Sequence, residues 1–325
     1  MLPVTYEDVC RAVPVVHRYL RPTPLYEWPG LSQWLGCRLL VKHENHQPVG
    51  AFKVRGGVYL VGRLSPQERD AGIWGVSTGN HGQSLAYASR LFGVRCTIVV
   101  PEGNNPDKNR AIRLLGAELI EKGRDFDEAR GYVESLIAER GGRYVHSANE
   151  PDLIAGVGSM AWEVFEEEAE VDAVVAPIGL GSGIASTCIV SKARRPQTEV
   201  IGVQAEGAAA VVESWRQGRM VTYETMQTWA EGMATRMPAE MTLAVMRELL
   251  DDAIVVNDDE LRVAAYEILK QTHNLAEGAG AAALAAVARQ RDRFRGKTVV
   301  TILSGGNLDL AQLPRILETG RVSLG

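Results

Sequence analysis

The sequence has little of what marks secreted, membrane or nucleic-acid-binding proteins. Only four cysteines occur in 325 residues, far apart, so no disulfide framework is expected. No apolar run is long enough to span a bilayer, and the N-terminus lacks the basic and apolar regions of a secretory signal. The net charge is −5 without a long block of one sign, which argues against a nucleic-acid surface. A cytoplasmic protein, with neither nucleic acid nor a membrane as partner, fits these absences.

What the sequence does contain is an alternation of short β-branched runs and longer amphipathic segments. This alternation predicts an α/β fold with two open, twisted, mostly parallel sheets flanked by helices. Ligands of such sheets bind at the carboxyl ends of strands, so chemistry is expected in the loops that follow them. Strands are predicted at Leu39–Val41, Ile73–Val76, Thr97–Val100, Ala117–Ile120, Ala173–Ile178, Val200–Gln204, Ile254–Val256 and Thr298–Leu303. Helices are predicted at Gln83–Phe92, Lys108–Leu115, Asp127–Glu139, Met160–Glu168 and Asp259–Thr272.

One lysine stands where a helix disfavours a cation. A strand ends near Lys42, a polar turn follows, and Gly50 precedes a helix that carries Lys53 in its first turn. A helix N-terminus repels positive charge, so this position is unfavourable for a lysine. The simplest interpretation is a solvated surface lysine. The functional interpretation is an amine that loses its charge by forming an imine with a carbonyl cofactor.

Two loops that follow predicted strands have the composition of anion-binding turns. In Ser77-Thr78-Gly79-Asn80-His81-Gly82-Gln83, hydroxyl and amide groups gather at a helix start, and a plain N-cap is the competing interpretation. Gly179-Leu180-Gly181-Ser182-Gly183 joins a strand to a helix, an arrangement that binds phosphate through backbone N–H groups. It is neither a complete dinucleotide fingerprint nor a Walker loop. Glu206, after the next strand, keeps a nucleotide-binding interpretation open.

A fourth segment, Ser304-Gly305-Gly306-Asn307, directly follows the strand predicted at Thr298–Leu303. Taken alone it is compatible with a simple turn. A hydroxyl at the carboxyl end of a strand can also hydrogen-bond a heterocyclic nitrogen without protonating it, which is the functional interpretation of Ser304.

In this order, the four segments resemble the fold-type II pyridoxal-phosphate enzymes, specifically the threonine/serine dehydratase and serine racemase family. The resemblance extends from residue 21 to residue 307 and implies a tryptophan-synthase-β-like fold. It implies a large cofactor-binding domain of residues 1–62 and 150–325, with a small, mobile domain of residues 63–149 inserted. It also implies pyridoxal 5'-phosphate as cofactor, a small amino acid as substrate, and a homodimer.

The resemblance assigns roles to individual residues. Lys53 would carry the cofactor as a Schiff base, and Thr78 would offer a hydroxyl on the opposite ring face. Asn80 would donate to the phenolic oxygen, and Ser304 would meet the pyridine nitrogen. The implied cofactor-binding residues are Phe52, Lys53, Asn80, Gly179, Leu180, Gly181, Ser182, Gly183, Glu277 and Ser304. The implied substrate-binding residues are Ser77, Thr78, Gly79, Asn80 and His81. No metal ligands are expected, because the positions where some relatives have the carboxylates of a cation site are Gln204, Ala208 and Ala210, and none of these is acidic. Glu206 could still supply one ligand by another geometry.

The implied reaction is β-elimination of threonine or serine to a 2-keto acid and ammonia. The chain departs from the family pattern at Ala51, Thr78 and Glu231, and these departures resemble a hydroxyectoine-utilisation dehydratase branch. Glu231 and Arg236 could read a polar substrate tail or form structural ion pairs. Alternatives therefore stay open. They are an amino-acid racemase, a β-replacement enzyme, a lyase for a hydroxyectoine-derived substrate, hydroxyaspartate or phenylserine, and a non-catalytic or nucleotide-binding protein.

Overall fold

The computed structural model describes residues 2–322, leaving aside the side chain of Asp127, and within this range ten strands form two sheets. The strands are β1 (Leu25–Glu27), β2 (Arg38–His43), β3 (Ile73–Val76), β4 (Cys96–Val100), β5 (Glu118–Glu121), β6 (Arg143–Tyr144), β7 (Ala173–Pro177), β8 (Glu199–Ala205), β9 (Asp252–Val256) and β10 (Thr298–Leu303). The helices are α1 (Tyr6–Tyr19), α2 (Pro29–Leu35), α3 (Lys53–Gly62), α4 (Pro66–Ala71), α5 (Asn80–Phe92), α6 (Pro106–Leu114), α7 (Phe126–Arg140), α8 (Pro151–Glu167), α9 (Ser182–Arg194), α10 (Ala210–Gln217), α11 (Glu240–Leu249), α12 (Asp258–Thr272), α13 (Gly278–Arg289), α14 (Arg291–Phe294) and α15 (Leu313–Val322). Short 3₁₀ turns lie at Glu44–His46, Glu206–Ala208, Glu231–Met233 and Leu310–Gln312.

The two sheets differ in size but share a parallel arrangement. The larger sheet has the strand order β1-β2-β10-β7-β8-β9, and the smaller has the order β5-β4-β3-β6. Every pair of neighbours is parallel except β1 and β2. Helices flank both sheets, so the predicted architecture of two mostly parallel sheets covered by helices is confirmed.

The predicted strands all form, whereas some helix bounds needed correction. The strands β1 and β6, of three and two residues, were missed because they are too short to show a period. Helix α8 begins at Pro151 and not at Met160. The sequence did not predict its first half, because that half is buried on all sides and has no polar face. Helix α5 begins at Asn80, not at Gln83. Asn80 and His81 therefore belong to the first turn of a helix.

Helix α3 packs against both α5 and α8, and two glycines make this close approach possible. A Cβ at Gly56 would lie 2.6 Å from the backbone oxygen of Leu153 in α8. A Cβ at Gly57 would lie 2.8 Å from the backbone oxygen of Ser84 in α5. Since α5 covers the small sheet and α8 leads into β7 of the large sheet, α3 lies at the junction of the two sheets.

A buried cluster of charges anchors the same helix. Arg55 donates to Glu44 Oε2 at 2.7 Å and to Glu163 Oε2 at 2.8 Å. Lys42 Nζ lies 2.7 Å from Glu163 Oε2. All four side chains are at most 2% exposed. Burial alone would lower the pKa of Arg55, but the carboxylates of Glu44 and Glu163 outweigh it and raise that pKa.

The sequence argued against a disulfide framework and against a membrane-spanning helix. All four cysteines are free thiols, and Cys96 is buried in β4. Within residues 2–322, no helix combines the length and the apolar character needed to cross a membrane.

Candidate active site

The carboxyl ends of β3, β7 and β10 face a cavity of about 190 Å³ between the two sheets. The start of α3 and the residue preceding α13 complete its wall. All the cofactor-binding and substrate-binding residues implied by the resemblance line this cavity, so the fold brings together segments that are far apart in the chain. They are Phe52, Lys53, Ser77, Thr78, Gly79, Asn80, His81, Gly179, Leu180, Gly181, Ser182, Gly183, Glu277 and Ser304.

Lys53 is the first residue of α3, and its amine points into the cavity wall. Lys53 Nζ donates to Ser182 Oγ at 2.7 Å and to the backbone oxygen of Ser147 at 3.3 Å. Both acceptors are neutral oxygens, so neither offsets the loss of hydration that burial imposes on an ammonium ion. Burial lowers the pKa of Lys53 to about 8. A substantial fraction of this amine is therefore neutral near physiological pH, as a nucleophile or a base requires.

The loop that leads into Lys53 is fixed from two sides. The backbone N–H of Phe52 donates to the backbone oxygen of Ser304 at 3.0 Å, and Ala51 forms an isolated bridge with Gly305. From the other side, Ser84 Oγ donates to the backbone oxygen of Lys53 at 2.7 Å. The position of the amine is thus set jointly by the end of β10 and by helix α5.

The loop between β7 and α9 is shaped to hold a small anion. Gly181 has φ of +98°, a conformation that favours glycine, and a Cβ at Gly179 would overlap the backbone oxygen of Gly232. Helix α9 begins at Ser182, and the N–H groups of its first turn have no partner within the helix. These donors and the helix dipole attract negative charge. The geometry suits a phosphate group.

Asn80 and His81 differ in what their side chains can offer a ligand. Asn80 Nδ2 donates to Glu277 Oε1 at 2.7 Å, and both residues line the cavity. Burial raises the pKa of Glu277. The ring of His81 instead donates from Nε2 to the backbone oxygen of Val145 at 3.2 Å, and burial lowers its pKa to about 3. His81 is therefore a neutral side chain whose ring is bonded to the backbone.

Residues 16–305 match the model of a family described as pyridoxal-phosphate dependent enzyme. The chain belongs to this family. The enzyme is 35% identical over 322 residues to an L-threonine ammonia-lyase of Thermotoga maritima, across 99% of its own chain and 80% of that protein.

Solved structures agree with the family assignment. The processed form of threonine deaminase isoform 2 from Solanum lycopersicum superposes with a TM-score of 0.92 at 29% identity, covering 99% of this enzyme and 92% of that chain. Maize serine racemase gives a TM-score of 0.92 at 25% identity, covering 98% of each chain. The similarity thus spans both sheets of this pyridoxal-phosphate enzyme and the cleft between them.

The donors in the cleft fit this cofactor better than a metal ion. Lys53 offers an amine of lowered pKa. The Gly179–Gly183 loop leads into the first turn of α9, whose N–H groups have no partner within the helix, and Ser304 contributes a neutral hydroxyl to the same cavity. Within residues 2–322, no three His, Cys, Asp or Glu side chains come together to hold a metal. Gln204 stands at one of the positions that form a cation site in some relatives, and here its side-chain oxygen accepts from the backbone N–H of Val212 at 3.0 Å.

Several lining residues of the enzyme were not identified from the sequence. Ser147 contributes a backbone oxygen, which no side-chain motif reveals. Lys108 of α6 forms an ion pair with Glu231 across the cavity, although the sequence indicated only that it belongs to a helix. Phe126, the first residue of α7, also lines the cavity. Of the two residues suggested to read a substrate tail, Glu231 lines the cavity, whereas Arg236 is not part of the lining.

Proposed function

We propose that this enzyme eliminates the β-hydroxyl of a small hydroxy amino acid such as threonine or serine, and releases a 2-keto acid and ammonia. The observation that carries the proposal is the neutral surroundings of the Lys53 amine, whose pKa burial lowers to about 8. Pyridoxal phosphate, when bound, supplies an electron sink that acidifies the α-hydrogen of an amino acid. Lys53 Nζ would be the attachment point for the cofactor's aldehyde. Once the substrate's amine had displaced it there, the freed Nζ would accept that α-hydrogen as a proton.

The other residues of the cleft bind and orient. The backbone N–H groups of the Gly179–Gly183 loop and of the first turn of α9 hold the phosphate. The N–H groups between Ser77 and Gln83, at the start of α5, bind the substrate carboxylate. Asn80 would donate to the cofactor's ring oxygen, and Glu277 and Phe52 would lie beside the ring.

Ser304 directs the reaction towards elimination. A neutral hydroxyl leaves the ring nitrogen largely unprotonated, whereas a carboxylate would stabilise the protonated nitrogen. The weaker electron sink favours prompt loss of the β-hydroxyl over a long-lived carbanion. We expect Ser304→Asp to slow keto-acid formation by about tenfold, which corresponds to about 1.4 kcal/mol in the barrier. An unchanged rate would contradict the role given to Ser304.

A racemase is the second candidate, because Thr78 places a hydroxyl on the wall of the same cavity as Lys53. Racemisation needs a proton donor on the face of the α-carbon opposite the base. Thr78 retains the hydroxyl of the family's serine but adds a methyl group, so we expect weak racemisation or none. Chiral analysis of the substrate left after partial turnover measures it, and substantial D-isomer would reverse the ranking.

A substrate panel tests the proposal directly. The purified enzyme, supplied with pyridoxal phosphate, is assayed for keto acid and ammonia with serine, threonine, hydroxyaspartate, phenylserine and hydroxylated diaminobutyrate. We expect equal amounts of both products from at least one of these, and none from a Lys53→Ala variant. Failure of the enzyme to form keto acid from any of them would refute the proposed reaction. The pattern of rates also decides whether a modified amino acid, such as a hydroxyectoine-derived one, is preferred over serine and threonine.

We further propose that residues 63–149 form a mobile domain, with residues 1–62 and 150–325 as the larger one. The small sheet lies entirely within the first range, and the ion pair of Lys108 with Glu231 joins the two parts across the cleft.

We also propose that the enzyme is a cytoplasmic homodimer, by extension of the family resemblance. Sedimentation of the purified enzyme at twice the mass of the chain would support it, and a monomer mass would refute it.

A further inference from the structure

A series of hydrogen bonds between amide side chains connects the two sheets beside the cleft. Asn307 Nδ2 donates to the backbone oxygen of Val49 at 2.8 Å and to Asn80 Oδ1 at 2.8 Å. Asn80 Nδ2 in turn donates to Glu277 Oε1 at 2.7 Å. Asn307 follows β10 of the large sheet, and Asn80 opens α5 over the small sheet. Asn307 belongs to the segment after β10 in which only Ser304 has a role so far.

The partners of Asn307 determine which way each amide faces. A side-chain amide can present its oxygen or its nitrogen, and its neighbours decide between them. The backbone oxygen of Val49 can only accept, so Asn307 must direct its NH₂ group there. The second hydrogen of this group goes to Asn80 Oδ1, which leaves the NH₂ group of Asn80 to face Glu277 and the cavity.

We propose that Asn307 is a positioning residue, which keeps Asn80 oriented as a hydrogen-bond donor towards the cofactor. This inference rests on the proposed function, in which Asn80 donates to the ring oxygen of pyridoxal phosphate. Glu277 takes one hydrogen of the Asn80 NH₂ group, and the other remains for the cofactor. If Asn80 turned over, its oxygen would face two acceptors, the Glu277 carboxylate and the ring oxygen, and the cofactor would bind less tightly.

The packing around Asn307 supports this role. Gly50 has φ of +69°, and a Cβ there would lie 2.6 Å from Asn307 Oδ1. The backbone N–H of Gly306 donates to the backbone oxygen of Gly50 at 2.9 Å. The loop that precedes Lys53 thus confines Asn307 closely. Its amide is held in place by neighbours on the same loop that positions the reactive lysine.

The first test replaces Asn307 with a side chain of the same shape that cannot donate. In Asn307→Asp, we expect the Asn80 amide to turn over and donate its NH₂ group to the new carboxylate. The amide oxygen of Asn80 would then face the cavity. The dissociation constant for pyridoxal phosphate, measured by titrating the cofactor-free protein, should rise at least about tenfold. The pH midpoint of the visible absorbance band of the loaded enzyme should also shift, because the hydrogen bond to the ring oxygen is lost. Asn307→Ala, which removes the donor without adding charge, should have the same effects to a smaller degree.

Asn257→Asp is a matched control for the change from amide to carboxylate. Asn257 caps α12 through Oδ1, which accepts from the N–H groups of Asp259 and Glu260, and aspartate caps a helix equally well. We expect this variant to bind pyridoxal phosphate as the unmodified enzyme does. If Asn307→Asp also matches the unmodified enzyme in both affinity and absorbance midpoint, the positioning role is refuted.

A double-mutant cycle covers the case in which Asn307→Asp does not fold. If Asn307 acts through Asn80, then Asn307→Ala should weaken cofactor binding in the unmodified enzyme but cost nothing more in an Asn80→Ala background. Additive losses would overturn the inference and leave Asn307 as an independent structural residue. The proposed function fails separately, if the unmodified enzyme binds no pyridoxal phosphate or forms no keto acid.

Discussion

Lys53 and Arg55 lie two residues apart on helix α3, and burial acts to lower the pKa of both, yet their pKa values shift in opposite directions. Arg55 pairs with the carboxylates of Glu44 and Glu163, and its pKa is raised. Lys53 donates to the two neutral oxygens named above, and burial lowers its pKa to about 8. The charge of the partner, more than burial itself, therefore separates a structural cation from a reactive amine.

The helix explains how such different surroundings can be so close in the chain. Residues at positions i and i+2 point to different sides of an α-helix. Lys53 consequently faces the cleft, while Arg55 faces α8 and the 3₁₀ turn after β2. One short helix thus separates the chemistry of the site from the electrostatics of the core.

The largest expected effect comes from removing the reactive amine. Lys53→Ala should lower keto-acid formation by at least about 10³-fold, because the attachment point and the base are lost together. Borohydride treatment followed by mass analysis should find covalent cofactor in the unmodified enzyme and none in the variant. Full activity in Lys53→Ala would eliminate the assigned role.

Removing the structural cation should instead cost stability. Arg55→Met leaves Glu44 and Glu163 buried without their main partner, and we expect the free energy of unfolding to fall by about 3–5 kcal/mol. Denaturant unfolding of the cofactor-free protein measures this change. Lys53→Ala serves as the contrast, because no carboxylate loses its partner there. Equal losses in the two variants would remove the distinction between the two cations.

The lowered pKa of Lys53 predicts a pH dependence of stability. Between pH 8, the value in the folded protein, and 10.5, the ordinary value of lysine, the unfolded chain binds a proton that the folded chain does not. The cofactor-free protein should therefore gain stability from this group as the pH rises through that window, with the full penalty present below it. Because other groups also titrate there, the measurement is the difference in unfolding free energy between the enzyme and Lys53→Met. A difference that does not vary with pH would contradict the lowered pKa.

The smallest effect is expected at an exposed ion pair. Arg130 and Glu134 of α7 are about half exposed, with Arg130 Nε 2.9 Å from Glu134 Oε1. Glu134→Gln should change the free energy of unfolding by less than about 0.5 kcal/mol, and added salt should reduce that further. A loss comparable to that of Arg55→Met would show that burial is not what gives the core cluster its importance.

The sequence was informative where local pattern decides structure. Runs of β-branched residues predicted eight of the ten strands, and the rule for parallel sheets placed the loops after β3, β7 and β10 around one site. It was less informative for the first half of α8, where a helix buried on every side shows no amphipathic period.

Contacts between distant segments could not be predicted. Glu163 reaches Arg55 from 108 positions along the chain, and Lys108 reaches Glu231 over 123 positions. Neither pair has a spacing that a local pattern can reveal. Ser147 was missed for a different reason, since it acts through its backbone. The orientation of the Asn80 amide likewise depends on Val49 and Asn307, which are brought together only by folding.

Strand β10 follows every other strand of the described chain in sequence, yet it lies between β2 and β7 in the middle of the large sheet. During translation, β2 and β7 therefore each lack one of their two neighbouring strands until residues 298–303 leave the ribosome. The small sheet has no such delay, because its strands all lie between residues 73 and 144. Ser304 and Asn307 emerge directly after β10, so the large sheet and the cleft are completed by the same late segment of the nascent chain.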